Sequence, residues 1–228
     1  MSVTAQTDAS ADLAEAGPGS SSLLKVVLWG VIAFALVVAA VAVGHVWGSH
    51  GSTTSTPSAS SVDAGFASDM STHHQQAVTM ASYARDNSAS ADIRTLAYDI
   101  ESSQTFQMGQ MQGWLDDWGL IRNSNTGMAW MGGQAHVGAD GLMPGMATPA
   151  QLKTLLASHG KALDVLFLQL MIHHHQGGVQ MAHYTALHAS EPYVRDLAQS
   201  MYVAQSGEIV QMESMLRRLG GTPLPPPA

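Results

Sequence analysis

The stretch HHQQAVTMA, His73 to Ala81, returns 101 residues later as HHQGGVQMA, His174 to Ala182. The repeat extends well beyond the phrase. Upstream, Asp63, Phe66 and Met70 fall on Asp164, Phe167 and Met171. Downstream, Arg94, Leu96, Gln104, Met111, Leu115 and Gly119 fall on Arg195, Leu197, Gln205, Met212, Leu216 and Gly220, with no gap. A constant offset through two segments and the turn between them reads as an internal duplication.

Each copy carries helical periodicity. Phe66, Met70, His73, Ala77 and Met80 recur at steps of three and four, and after the turn at DNSAS the spacing resumes at Ile93, Leu96 and Ile100 up to Gly119, a C-terminal cap. Ser190-Glu191-Pro192 offers an N-cap with proline just inside the matching helix of the second copy. Two amphipathic hairpins cannot bury their stripes alone. Packing them together predicts an all-α four-helix bundle over residues 61–220, with hairpins 61–119 and 161–220 and a crossover loop 120–160. Within the crossover, Thr148 to Gln151 reads as a capping box opening a short helix, and the proline-rich end, 221–228, is expected to be a disordered tail.

Ahead of the bundle, Val26 to Val43 carries no charge, and residues 23–47 read as one N-terminal transmembrane helix with Trp29 and Trp47 near its ends. Lys25 on the amino-terminal side assigns a disordered cytoplasmic tail to 1–22. A Ser/Thr/Gly linker, 48–60, then leads to an extracytoplasmic bundle. The chain of 228 residues has no cysteine, so disulfides and thiolate ligands are excluded and any soft ligand must be methionine. A formal charge of −8 with scattered basic residues argues against nucleic acid as a partner.

The chemistry concentrates on the repeated phrase. His73 and Met80 lie seven apart, as do His174 and Met181, and Met70 and Met171 sit three residues before the histidines. On helices these share a face, and facing hairpins bring both sets toward the axis, with Ala77 and Gly178 leaving room. Imidazole with thioether suits copper, Cu(I) in particular, and suits hard cations poorly. His74 and His175 point about 100° round the helix from their neighbours, so one member of each pair lines the site and the other bonds elsewhere. Met128, Met131, Met143 and Met146 flank His136 in the crossover. His173 has no counterpart in the first copy and reads as peripheral. The opposing reading is that methionine stripes fill cores and buried histidines are hydrogen-bonded residents. A di-iron enzyme would need Glu-x-x-His motifs, which are missing, and no phosphate loop or nucleophile elbow is present.

From about Val62 to Gly220 the chain resembles an exported, copper-linked family, numbered 305 among the domains of unknown function. DMSTHHQQAVTMA, the run GMATPAQLKTLLASHGKALDVLFLQLMIHHHQGGVQMA, and QSGEIVQMESML carry the resemblance. It implies a ferritin-like bundle that binds copper through His73, His74, Met80, His174, His175 and Met181, with Met143 and Met146 matching a methionine-rich segment before the second half. Asp69-Met70-Ser71-Thr72 departs from the apolar lead-in usual there, and His173 turns the second pair into a triplet. A metal-free structural or interaction module is the alternative.

Overall fold

A computed structural model describes residues 56–122, 127–133, 137–138 and 140–227. The transmembrane anchor, the cytoplasmic tail, most of the linker and His136 lie outside the described residues. Among the described residues the chain is all-helical, with no strands: α1 (Val62–Asn87), α2 (Ala91–Asp117), α3 (Pro149–Leu155), α4 (Gly160–His188) and α5 (Pro192–Arg218), plus a 3-10 turn at Ala129–Met131. No described helix is long and apolar enough to cross a membrane.

The four long helices pack as two antiparallel hairpins, α1 on α2 and α4 on α5, which meet through α1 and α4. Local chemistry sets the ends. Ser61 and Ser90 cap α1 and α2 by accepting from the backbone N–H of Ala64 and Ile93, and the Thr148–Gln151 capping box opens α3. Gly119 and Gly220 adopt positive φ, 68° and 75°. The next residue then reaches back to the carbonyl of Leu115 or Leu216, at 2.8 and 3.0 Å, satisfying orphan carbonyls at both helix ends. That geometry accounts for the matched Leu and Gly of the repeat.

Two further matched residues join the hairpins. Asp63 accepts from the backbone N–H of Ser190 and Glu191, at 3.1 and 2.8 Å, so the start of α5 is capped from α1 and not by its own Glu191 side chain. Asp164 accepts from the Ser88 hydroxyl at 2.6 Å, at the matching turn before α2. Arg94 and Arg195 each donate to two turn carbonyls, those of Ser88 and Ala89 and those of Ala189 and Ser190. Asp63 near the end of α4 and Asp164 near the end of α1 make those two helices run antiparallel.

The crossover is more ordered than a glycine-rich loop suggests. Trp130 is buried and donates its indole N–H to Asp69 at 2.8 Å. Gly65 makes the space, since a Cβ there would overlap the indole ring. The Asp69 departure in the sequence thus anchors the loop. Farther along, the loop crosses α4 at Gly177, where a Cβ would overlap the Pro144 carbonyl, and the Gln76 amide brackets Ala147 through both its N–H and its C=O. Gln76 and Gly177 are equivalent positions of the repeat, so the change from QQA to QGG records which hairpin carries the loop.

The end, 221–227, also departs from expectation. It has no regular structure, yet it is held: Gln169 donates to the Thr222 carbonyl at 2.8 Å and Leu224 packs on the core. Its prolines carry no N–H that needs a partner, and a second hydrogen bond, from His173 to the Pro225 carbonyl at 2.9 Å, also holds it.

The glycines separate by what surrounds them. Gly177→Ala is expected to destabilise the fold by about 2 kcal/mol or more, because backbone blocks the new methyl. Gly109→Ala, where an added Cβ meets nothing, should stabilise it by about 0.5–1 kcal/mol. Urea unfolding of the two variants beside the parent chain checks both signs.

Candidate metal centre

The paired histidines lie where α1 and α4 meet. All four are at most 1% exposed. His73 and His174 stack, ring centroids 3.7 Å apart and planes 32° from parallel. His74 and His175 turn toward the second helix of their own hairpins, as the 100° rotation requires.

Every ring commits the same nitrogen. His73 Nε2–H donates to the Pro144 carbonyl at 3.1 Å and His174 Nε2–H to the His73 carbonyl at 3.0 Å. His74 Nε2–H donates to Gln107 Oε1 at 2.9 Å, and His175 Nε2–H to Glu208 Oε2 at 2.7 Å. Carbonyl and carboxylate oxygens only accept, so these partners fix the Nε2–H tautomer and leave Nδ1 with a lone pair. All four Nδ1 atoms are buried without a partner. Buried polar atoms are nearly always satisfied, so four equivalent exceptions in one layer call for an explanation.

Burial governs the protonation of three of these rings. Burial pushes the His73 imidazole down to about 4, with repulsion from His175 adding to it and the Pro144 carbonyl opposing it. Burial, then repulsion from His73, pushes His74 down to about 3, and the same causes hold His174 well below the ordinary histidine range. At neutral pH these rings are therefore neutral Lewis bases.

The methionines divide around the layer. Met70 and Met181 belong to an apolar cluster with Met111, Met128, Met131, Met143 and Met201. Met80 and Met171 belong to the other cluster, with Phe167, Met212 and Leu216. Because α1 and α4 are antiparallel, each side receives one methionine from each repeat. The four do not converge on one pocket, as the sequence reading expected; the stacked rings separate them. Nor is the room beside Gly178 free. The Gln205 amide fills it, leaving its Oε1 unpartnered, like that of the matched Gln104. Met143 is buried and Met146 half-buried, and both lie on the crossover loop outside the histidine layer.

Among the described residues no three His, Asp or Glu side chains come together to hold a metal ion. A hard cation, which needs several oxygens, is not served here. Imidazole nitrogen and thioether sulfur are soft donors of the kind that suit Cu(I). Sequence reasoning missed the acceptors Gln107 and Glu208. They are equivalent positions, but one is an amide and the other a carboxylate, so a comparison by identity passes over them.

The class these features define is an all-helical protein built of two like hairpins around a buried histidine layer. Residues 63–216 match the model of the DUF305 family, a domain of unknown function, and the chain belongs to that family. A DUF305 protein of Streptomyces coelicolor, designated secreted, is 43% identical, with 74% of this chain and 99% of that one aligned at a TM-score of 0.68. A DUF305 fragment from Deinococcus radiodurans is 33% identical over 69% and 96% of the two chains, at 0.58. CopM in its silver-bound form is 26% identical over 68% and 95%, at 0.51; its Cu(I)-bound form, at 24% identity over 70% and 98% with a TM-score of 0.56, shows the same fold. No curated protein matches the chain.

The depressed histidines make a prediction for the metal-free protein. Between 6.5 and about 4 the unfolded chain binds protons that folded His73 refuses, so stability is complete above that window and falls as the pH drops through it. His73 alone contributes a loss on the order of 3 kcal/mol. Denaturant melts at stepped pH check this; stability that stays flat between pH 7 and 4 would contradict the burial of neutral rings.

Proposed function

We propose that this protein is a membrane-anchored, extracytoplasmic copper-binding protein that buffers copper or confers resistance to it, with Cu(I) the favoured ion. The observation that carries the reading is the set of four buried, unpartnered Nδ1 atoms in one layer, with thioethers in the apolar clusters on both sides. We read the fold as a ferritin-like four-helix bundle made from a duplicated hairpin, in keeping with the matched caps, clamps and histidine bonds of the two halves. The silver-bound CopM structure supports a soft monovalent ion, and the secreted Streptomyces relative supports a location outside the cytoplasm. The uncharged run Val26 to Val43 supplies the anchor, residues 23–47.

Nδ1 lone pairs lie in the ring planes, and the His73 and His174 centroids are only 3.7 Å apart, which leaves no room for an ion between the ring faces. The ions sit at the ring edges. There His73 or His174 combines with a thioether from Met70 and Met181 on one side, or from Met80 and Met171 on the other. His74 and His175 supply further donors, oriented by Gln107 and Glu208. An imidazole whose far nitrogen is already hydrogen-bonded is a fixed and more basic ligand. Because His73, His74 and His174 are already deprotonated at neutral pH, binding a cation to them releases no proton, unlike binding to exposed histidines.

Titration of the full chain, kept in mild detergent, with Cu(I) against a chromophoric competitor tests this. The joint change His73→Ala and His174→Ala is expected to remove the tight component, weakening it at least a hundredfold. Tight affinity of the intact protein should stay level from pH 7 to 5. A chain that binds no Cu(I), yet melts as the parent does, would instead be a metal-free structural module. Tight binding unchanged in the double variant would overturn the assignment of the layer.

A further inference from the structure

The histidine that interrupts the symmetry faces the other way. His173 is half-exposed, and its Nδ1–H donates to the Pro225 carbonyl at 2.9 Å. The carbonyl can only accept, so here the tautomer is Nδ1–H and the lone pair belongs to Nε2, the reverse of the four buried rings. The acceptor comes from the proline-rich end, which Gln169 and Leu224 hold against the bundle.

Between that end and the crossover loop lies an open cleft of about 410 Å³ lined by Met143, Met146, His173, Leu224 and Pro225. The loop cannot ride higher. Gly145 has φ +81°, and a Cβ on it would press against the carbonyls of His173 and His174. Two thioethers at M-x-x-M spacing therefore flank a tight turn seated on the backbone that presents His173. Packing explains why Met143 is buried. It does not explain a histidine facing the same cleft with its tautomer set so that Nε2 stays free.

We propose that this cleft is a second, solvent-facing site for a soft monovalent cation, held by Nε2 of His173 with the thioethers of Met143 and Met146. It shares the soft-ion chemistry of the proposed function but none of the buried ligands. One residue, Pro144, connects the two: its carbonyl orients His73 below, while Met143 and Gly145 on either side of it line the cleft above. Three soft donors on an open surface suit an exchangeable ion, whereas the buried layer suits one that is retained.

The test uses the full chain in mild detergent, labelled with carbon-13 in the methionine methyls, and titrated with Ag(I) as a redox-inert probe. Three proteins are compared: the parent, a His173→Ala/Met146→Leu variant, and the His73→Ala/His174→Ala variant. The proposal expects the first variant to bind one equivalent fewer than the parent. It also expects the Met143 and Met146 methyls to move in the parent and in the buried-layer variant, where they would report the outer site alone. Equal stoichiometry in the parent and the His173→Ala/Met146→Leu variant, with the Met143 methyl unmoved in both, overturns the outer site even while the buried layer binds. Movement of Met143 and Met146 in a buried-layer variant that has lost no equivalent sustains the outer site and removes the inner one. His173 is partly exposed and Met146→Leu conserves volume, so thermal melts of the outer variant should match the parent.

Discussion

Four imidazoles are shut into the contact between α1 and α4, each with one nitrogen committed and the other unsatisfied. Burying an unpaired acceptor costs on the order of 1–3 kcal/mol, and the layer holds four. A fold that needed only packing there would place leucine or methionine at those positions, as it does on both sides. The surrounding structure keeps the rings in place: Gln107 and Glu208 hold the outer pair, the Pro144 and His73 carbonyls hold the stacked pair, and Asp63 and Asp164 lock the two hairpins in antiparallel register. Metal-free, the site is a store of unfavourable polar burial, and a soft ion at the Nδ1 edges would relieve it.

Several departures from symmetry share one cause. A single crossover has to pass over one side of a nearly two-fold core. Gly177 gives it room and Gln76, at the matching place on the other hairpin, grips it. As a result His73 donates to the loop while His174 donates to helix backbone. The Gln107 and Glu208 difference adds a second inequality, since a carboxylate strengthens its imidazole more than an amide does. The two halves of the layer are therefore related in sequence but differ in their hydrogen-bond partners.

Much of the described fold was legible in the sequence. The constant offset marked the hairpins, Gly119 and Gly220 marked the helix ends, and Thr148 to Gln151 marked the short helix, because caps and periodicity are local. That the two members of each histidine pair point in different directions also followed from helix geometry. Contacts made at a distance were not legible. Nothing local ties Trp130 to Asp69, or the end of the chain to Gln169 and His173, and the partition of the methionines depends on which way α4 runs against α1. The glycines at 65 and 177 are places where another segment lies against the helix backbone, which nothing local announces.

The most direct measurement is a long-range nitrogen–proton correlation spectrum of the histidine side chains, recorded on the metal-free protein at neutral pH and again with Ag(I). The account predicts that His73, His74 and His174 are neutral Nε2–H tautomers with free Nδ1 lone pairs. It further predicts that silver moves the Nδ1 resonances of His73 and His174 while their Nε2 protons stay bonded. Rings that are protonated or carry hydrogen on Nδ1, or Nδ1 signals that silver leaves in place, would contradict it.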